Sequence, residues 1–302
     1  MRVMITGANG MLGARLAPRL GARDHEVILA QRRATRIDSE RIAAVQLDVT
    51  DDDSVRSAFD AARPQVVIHA AAMADVDLCE RDPQLAHAVN AQGTRRVAEA
   101  SRAHGARLVY VSTDYVFDGA AGPYREDDPA APIQVYGRSK LEGELAVLEV
   151  PHAVVARTAV LFGPAPPGRS NLVLWLLDRL RRGESAPAAT DQIGSPTLVD
   201  NLSDMLIALA EASCGGVYHV AGASALDRFQ FARLVAEVFG FDPSRVEPIL
   251  SATIPRPARR PHNAGLLVDK LRRDVPAAIP LSAEQSLLAL RDQFGAAAAS
   301  GA

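Results

Sequence analysis

Cysteine is nearly missing from this chain. The two present, Cys79 and Cys214, cannot build a disulfide framework and lack the close pairing of a metal-ligand motif. A reducing compartment, the cytoplasm, is the expectation, and no metal site is read. Apolar runs of membrane length are missing as well. The start passes from Met1-Arg2 directly into Val3-Met4-Ile5, with no room for a signal-peptide core. Blocks of one charge sign are also absent. The formal charge is −3, and the small clusters Arg181-Arg182 and Arg256, Arg259, Arg260 suit solvated faces, so neither nucleic acid nor a membrane is an expected partner. Aromatics are sparse; core packing is the expected role of the one tryptophan, Trp175, with stacking on a substrate base as the second option. What the chain has in quantity is apolar side chain, 48% of 302 residues, enough for one large or two modest domains.

Strand and helix patterns alternate from the start. Residues 2–6, 26–30, 44–47, 65–69 and 107–112 are short apolar runs, each read as a buried strand. Helices are expected between them, over 51–61 and, longest, over 83–103. This alternation through residue 157 predicts an α/β fold, a doubly wound parallel sheet of the Rossmann type. In the second half, helices are expected over 171–182, 198–212, 229–239 and 282–293, and 216–220 reads as one more strand of the same sheet. The low-complexity end, residues 295–302, is expected to fray. The expected division is a dinucleotide-binding domain over 1–165, rejoined by about 198–222, and a smaller α/β substrate-binding domain over 166–302.

The first strand runs into Thr6-Gly7-Ala8-Asn9-Gly10-Met11-Leu12-Gly13. Glycines at three-residue spacing between a strand and a helix allow a tight turn, a close backbone approach to a diphosphate, and close packing of the helix on the strand. Pro18 is discordant, because proline inside that helix should kink or shorten it. The second strand ends in Gln31-Arg32-Arg33, without the carboxylate that would bind a ribose 2′-hydroxyl and repel a 2′-phosphate. Two guanidiniums there favour NADPH, with NADH as the second option. Asp38 and Glu40 come too late to serve. Asp48-Val49 ends the third strand and suits either an adenine contact or a helix cap. Ala70-Ala71-Ala72 ends the fourth and leaves room for a cofactor chain. Asn90 lies within the long helix, and Ser112-Thr113 ends the fifth strand, where open α/β sheets bind ligands.

Tyr136 and Lys140 then stand four residues apart at a helix start, on one face. A phenol ionises near pH 10, and a neighbouring cation favours the phenolate. Such a pair can donate a proton to a carbonyl oxygen, although the same spacing also arises by chance in ordinary helices.

Taken in order, Thr6 to Gly13, Asn90, Ser112-Thr113, Tyr136 and Lys140 resemble an extended short-chain dehydrogenase/reductase. Three motifs make the chain similar to the dTDP-4-dehydrorhamnose reductase family. They are Ser112-Thr113-Asp114-Tyr115-Val116-Phe117-Asp118-Gly119, Tyr136-Gly137-Arg138-Ser139-Lys140-Leu141-Glu142-Gly143-Glu144 and Asp191-Gln192-Ile193-Gly194-Ser195-Pro196-Thr197. The resemblance implies catalytic Thr113, Tyr136 and Lys140, with Tyr136 donating the proton, Lys140 lowering its pKa and holding the nicotinamide ribose, and Thr113 binding the reacting oxygen. It places cofactor contacts at Gly7, Asn9, Gly10, Met11, Leu12, Gly13, Arg32, Arg33, Asp48, Val49, Ala70, Ala71, Ala72, Asn90, Ser112, Tyr136 and Lys140. On the substrate side the expected contacts are Thr113, Asp114, Tyr115, Phe117, Asn171, Gln192, Ser195 and Arg260. A small nucleotide-linked 4-keto sugar is the implied partner, and a homodimer is compatible with it.

Tyr115 bears on the reaction type. Similar sugar-nucleotide 4,6-dehydratases carry glutamate there as the base for elimination, so its absence favours simple reduction. Two departures touch the substrate side. The family's tryptophan two places after an Arg-Thr is replaced here, since Ala159-Val160 follows Arg157-Thr158, and its Arg-Pro-x-Asn-Ser becomes Arg260-Pro261-His262-Asn263-Ala264. Two alternatives stay open: another sugar-nucleotide enzyme, an epimerase or dehydratase, and a non-catalytic NADP-binding regulator like the methionine adenosyltransferase β subunit.

Overall fold

Seven short apolar runs pair as parallel strands: β1 Arg2–Thr6, β2 Glu26–Gln31, β3 Ile42–Gln46, β4 Val66–His69, β5 Arg107–Thr113, β6 Val154–Thr158 and β7 Gly216–His219. The computed structural model describes residues 1–33 and 41–300, the side chains of the last four excepted; Asp38 and Glu40 lie outside the described residues. The strand order is β3-β2-β1-β4-β5-β6-β7. Order reverses between β1 and β4, which opens a crevice at their C-terminal ends. The strand from the second half joins this same sheet, because β7 pairs in parallel with β6 from Gly216↔Val154 to His219↔Arg157.

Alternate residues of each strand feed opposite faces. Val3 and Ile5 meet helices α1 (Met11–Gly21) and α5 (Val199–Glu211) through Leu16, Leu20, Leu202 and Leu206. Met4 meets the other layer, built from α2 (Asp52–Ala62), α3 (Gly93–Ala103) and α4 (Val135–Leu148), through Phe59, Val97 and Val147. Each fully buried Val or Leu contributes about 1.5–3 kcal/mol. β4 and β6 are buried along their whole length because both faces are covered. Arg15 on α1 grips Asp200 on α5 with two hydrogen bonds, of 2.5 and 2.7 Å. A third core in the second half gathers Phe162, Leu176, Leu180, Phe231, Val235 and Leu287. A small fourth core, with Phe117, Tyr124, Ala159 and Leu266, lies where the loop after β5 meets the C-terminal segment.

The structure refines four expectations. Pro18 does not end its helix, which continues to Gly21. Pro18 and Ala14, whose carbonyl would have taken the missing N–H, are both on the exposed side. The helix expected over 83–103 runs that whole length, but its middle, Ala88–Gln92, is a π-helical turn between Pro83–His87 and α3. Trp175 is 36% exposed rather than core, because Val173, Leu176, Leu177 and Leu180 make the buried stripe of its helix. The last helix runs from Ala283 to Ser300 instead of ending near residue 293.

Candidate active site

The start of α4 is fixed by Gln134, whose side-chain oxygen accepts the Gly137 amide at 3.1 Å. Only glycine fits at position 137, since a Cβ there would lie 2.0 Å from the Tyr115 carbonyl oxygen. The helix start is thus pressed against the loop that leaves β5. That contact brings Thr113, Asp114 and Tyr115 up to Tyr136. The Tyr115 and Tyr136 rings meet edge to face at 6.2 Å.

Burial pushes the Tyr136 phenol above its ordinary range, against a smaller opposing influence of Thr113. Tyr136 therefore keeps its proton at neutral pH. Lys140 is buried, donates from Nζ to the Val111 carbonyl at 2.7 Å and lies 4.1 Å over the Tyr110 ring. Burial lowers it to about 7, with Glu144 opposing. The expected priming of the phenol by Lys140 is not the main influence here, since the lysine is held by Val111 and Tyr110. His69 bonds Thr6 Oγ1 at 2.6 Å and Thr94 Oγ1 at 3.1 Å. Burial and then Lys140 lower it to about 3, so it forms a neutral floor.

Glu144 stands one helical turn beyond Lys140 and is 1% exposed. It accepts from Ser112 Oγ at 2.5 Å and from Arg157 Nε and Nη2 at 3.0 and 2.7 Å. The Ser112 hydroxyl thus points at α4, leaving only its backbone for a cofactor. Asn90 is turned inward by the π-helical turn. Its Oδ1 accepts the Met73 amide at 2.8 Å, and its Nδ2 donates to the Met73 carbonyl at 3.0 Å and to Ser139 Oγ at 3.1 Å. It clamps the segment after Ala72 to α4 and has little capacity left for a cofactor. Cys79 donates to the Met73 carbonyl, and burial pushes its thiol to about 11, which makes it unreactive.

The glycine loop forms a cradle beside these groups. Gly7 has φ +69°, and a Cβ there would lie 2.8 Å from the Ala71 backbone, so the loop rests on Ala70-Ala71-Ala72. Gly10 caps α1 without a side-chain bond, and the first turn carries no acid. The amides of Met11, Leu12 and Gly13 therefore face the crevice without an internal anion, with Asn9 in the loop before them. Arg32 and Arg33 are exposed at the end of β2. The Asp48 carboxylate accepts the Thr50 amide at 2.9 Å and hydroxyl at 2.7 Å. These bonds, and to a smaller extent Arg32, hold it below the usual carboxylate range. Val49 is buried against Gly93. This set suits a dinucleotide phosphate: a side-chain-free cradle, free helix amides and two cations at the ribose end.

The substrate wall is only partly as expected. Tyr115 is half-buried, and Asp114 is 4% exposed. Phe117 is fully buried, stacked on Tyr124 at 4.1 Å and capped by Arg157 at 5.1 Å, so it is core and not wall. Ser195 is also fully buried and accepts the Leu266 amide at 3.0 Å, a structural role. Asn171 caps the helix Leu172–Arg181 and donates to the Gly163 carbonyl at 2.8 Å. Gln192 is half-buried, and its carbonyl accepts the Arg228 amide at 3.1 Å. Arg260 is paired with Asp77 at 3.0 Å and donates to its own loop at the Ala258 carbonyl. A separate cavity of about 550 Å³, lined by Arg102, Arg107 and His152, lies at the opposite, N-terminal ends of β5 and β6 and shares nothing with this site. Among the described residues there is no cluster of His, Cys, Asp and Glu able to hold a metal, and no helix is long and apolar enough to cross a membrane.

The RmlD substrate binding domain family matches residues 1–288. A dTDP-4-dehydrorhamnose reductase of Mycolicibacterium smegmatis is 40% identical over 266 residues, which cover 86% of this chain and 76% of that one. The chain belongs to the dTDP-4-dehydrorhamnose reductase family. A reductase of the same name from Mycobacterium tuberculosis is 41% identical over 267 residues, 86% of this chain and 82% of that one. Among solved structures, a dTDP-4-dehydrorhamnose reductase from Bacillus anthracis in complex with NADP superimposes with a TM-score of 0.85 at 32% identity, covering 97% of this chain and 99% of that one.

Val160 stands where the resemblance leads one to expect tryptophan. Val160 has φ +45°, a left-handed conformation that costs a β-branched residue about 1–3 kcal/mol. Two residues around the site escaped the sequence reading. Glu144 could have been found, since 136, 140 and 144 repeat at helical spacing on one face. Arg228, whose charge acts on both Asp114 and Tyr115, could not, because an arginine at a helix start looks like any solvated one.

Proposed function

We propose that this reductase-family chain reduces the ketone of a nucleotide-linked 4-keto sugar at the expense of NADPH, with dTDP-4-dehydrorhamnose as substrate and dTDP-rhamnose as product, in the cytoplasm. The observation that carries the reading is a protonated Tyr136, packed edge to face on Tyr115 just beyond the C-terminal end of β5 and one helical turn from the buried Lys140, beside the glycine cradle. The α1 amides would hold the diphosphate, Arg32 and Arg33 the 2′-phosphate, and Lys140 the nicotinamide ribose. When bound, the cofactor supplies the hydride. Tyr136 gives its proton to the carbonyl oxygen, and Thr113 holds that oxygen in place. Tyr115, Gln192, Arg228 and Arg260 line the substrate side, where guanidiniums suit a diphosphate. Binding of the remote nucleotide would then position the ketone. The first 165 residues, with the return through residues 198–222, are assigned to the dinucleotide and the rest mainly to the sugar nucleotide.

The test is NADPH oxidation against a panel of nucleotide-linked 4-keto sugars, with products identified by mass. One NADPH consumed per alcohol formed is expected. Product without net NADPH loss would replace the reading with epimerisation. Arg32→Ala is expected to raise the KM for NADPH roughly tenfold to a hundredfold, the scale of a lost charge-assisted hydrogen bond, and to leave that for NADH within about twofold. Equal losses for both cofactors would remove the phosphate role.

A further inference from the structure

The chain holds two lysines, Lys140 and Lys270; every other basic side chain apart from histidine is arginine. Both lysines have the same kind of seat. Lys140 Nζ lies 4.1 Å over the Tyr110 ring and donates to the Val111 carbonyl at 2.7 Å. Lys270 Nζ, on the short helix Asp269–Asp274, lies 4.5 Å over the Tyr218 ring and donates to the Val217 carbonyl, also at 2.7 Å. Each ammonium thus rests on a tyrosine face and on the backbone of the residue beside that tyrosine, on β5 in one case and on β7 in the other. They differ in surroundings. Lys270 is half-buried at the edge of the sheet, whereas Lys140 is 2% exposed and one helical turn from Tyr136. Lys140 forms no ion pair among the described residues, and Glu144, the acid one turn further on, is committed to Arg157 and Ser112. The negative face of the Tyr110 ring is what offsets its charge. That ring is wedged in place: it stacks on His69 at 5.4 Å, and a Cβ at position 143 would lie 2.6 Å from its hydroxyl.

We propose that Tyr110 is a positioning residue for the reduction: its ring face holds the Lys140 ammonium at the floor of the cleft, charged and with two N–H groups left for the hydroxyls of the cofactor's ribose. This rests on the reduction proposed above, with Lys140 as its ribose contact, and adds what keeps that lysine a cation in an apolar place. An ammonium has three donors, and Val111 takes one; the ring receives the charge as a whole and leaves the other two. The titratable groups around Lys140 are Tyr136 and Glu144 on α4, Tyr110 on β5, His69 on β4 and Cys79 on the helix Val76–Arg81. Of these only Glu144 is charged at pH 7, and it is paired with Arg157. Burial lowers the lysine to about 7, with Glu144 and then Cys79 opposing, so a small loss of support from the ring deprotonates it near neutrality. A weaker ring face lowers the midpoint further, since only the ammonium is attracted to it. The neutral amine is the poorer ribose donor, so capture of NADPH is lost as pH rises through that midpoint.

The test weakens the ring face in steps while keeping its shape. The Tyr110 hydroxyl is buried with no hydrogen-bond partner among the described residues, so Tyr110→Phe is the reference. Phenylalanines carrying one, two and three fluorines then replace it, each fluorine drawing electrons from the face. Carbon-13 NMR of lysine-labelled protein shows two side chains, which Lys270→Arg assigns. The Lys140 midpoint is expected to fall in even steps, by about one pH unit over the series, the scale of a desolvated cation–π contact. Lys270, whose own ring is untouched, is expected to stay in place. The alkaline fall of kcat/KM for NADPH, which reports on the free enzyme, is expected to move by the same steps, leaving the trifluorinated protein roughly tenfold below the reference well above neutrality. Tyr110→Leu, which has no π face, is expected at the far end of both series. A midpoint that does not follow the fluorines would mean that the ring only fills space. A midpoint that follows them without any change in kcat/KM would mean that the seat has no part in the reaction, and either result overturns the proposal. If the wild-type protein oxidises no NADPH with any 4-keto sugar, the underlying reduction falls separately; NADPH binding followed by fluorescence over the same series then decides the seat.

Discussion

Tyr136→Phe is expected to fold, to bind NADPH as tightly as the wild type, and to lose roughly 10²–10⁴-fold in kcat, the range for a positioned general acid. The ring stays, so its edge-to-face packing on Tyr115 is kept, and α4 is still fixed by Gln134 and the close approach at Gly137. What leaves is the acidic hydrogen of the phenol. No other group can replace it there: Lys140 is turned to Val111 and Tyr110, and Asp114 is engaged by the Thr113 hydroxyl. Cofactor binding by fluorescence and turnover by NADPH oxidation separate the two halves of the expectation. Wild-type turnover in this variant would remove Tyr136 from the chemistry.

The second large effect is on stability. Glu144→Ala is expected to cost about 3–5 kcal/mol, the usual penalty for breaking a buried ion pair from one side, out of a total stability of about 5–15 kcal/mol. Glu144 and Arg157 are 1% and 5% exposed. Removing the carboxylate leaves a guanidinium deep between β6 and α4, and its Nη1 already has no partner. Ser112 loses its acceptor in the same change. Denaturant unfolding followed by circular dichroism measures the loss. A double replacement, Glu144→Leu with Arg157→Met, is expected to recover most of it, because two apolar side chains need no mutual partner. A loss below about 1 kcal/mol in the single variant would mean that water reaches the pair.

The first half of the molecule was legible because its signals are local. A strand, three glycines and a helix must follow one another to make the cradle, and residues 2–13 state that order directly. The final strand of the sheet was legible for the same reason, as a short apolar run at 216–220. What escaped reading is set by distant partners. Nothing in Ala88-Val89-Asn90-Ala91-Gln92 opposes an ordinary α-helix; the π-helical turn exists where Asn90 closes on Met73 and Ser139, 17 and 49 residues away. Phe117 and Ser195 belong to motifs that suggested contact with a sugar, yet Arg157, Tyr124 and Leu266 fold over them and bury them. Trp175 was misread although the sequence held the answer, since 173, 176, 177 and 180 define an apolar stripe that excludes 175.

The seventh strand has one more consequence. β6 is buried along its whole length only because a segment arriving 58 residues after its last residue lies against its outer side, and α5 from the same excursion closes the layer over α1. Cut the chain after residue 165 and β6 becomes a bare hydrophobic border, inviting other chains to pair with it, while Leu16 and Leu20 look out on water. The two halves are therefore laced rather than joined: the sheet of the first half is completed by polypeptide returning from the second. Displacement of the second half would be felt directly along the edge of the sheet.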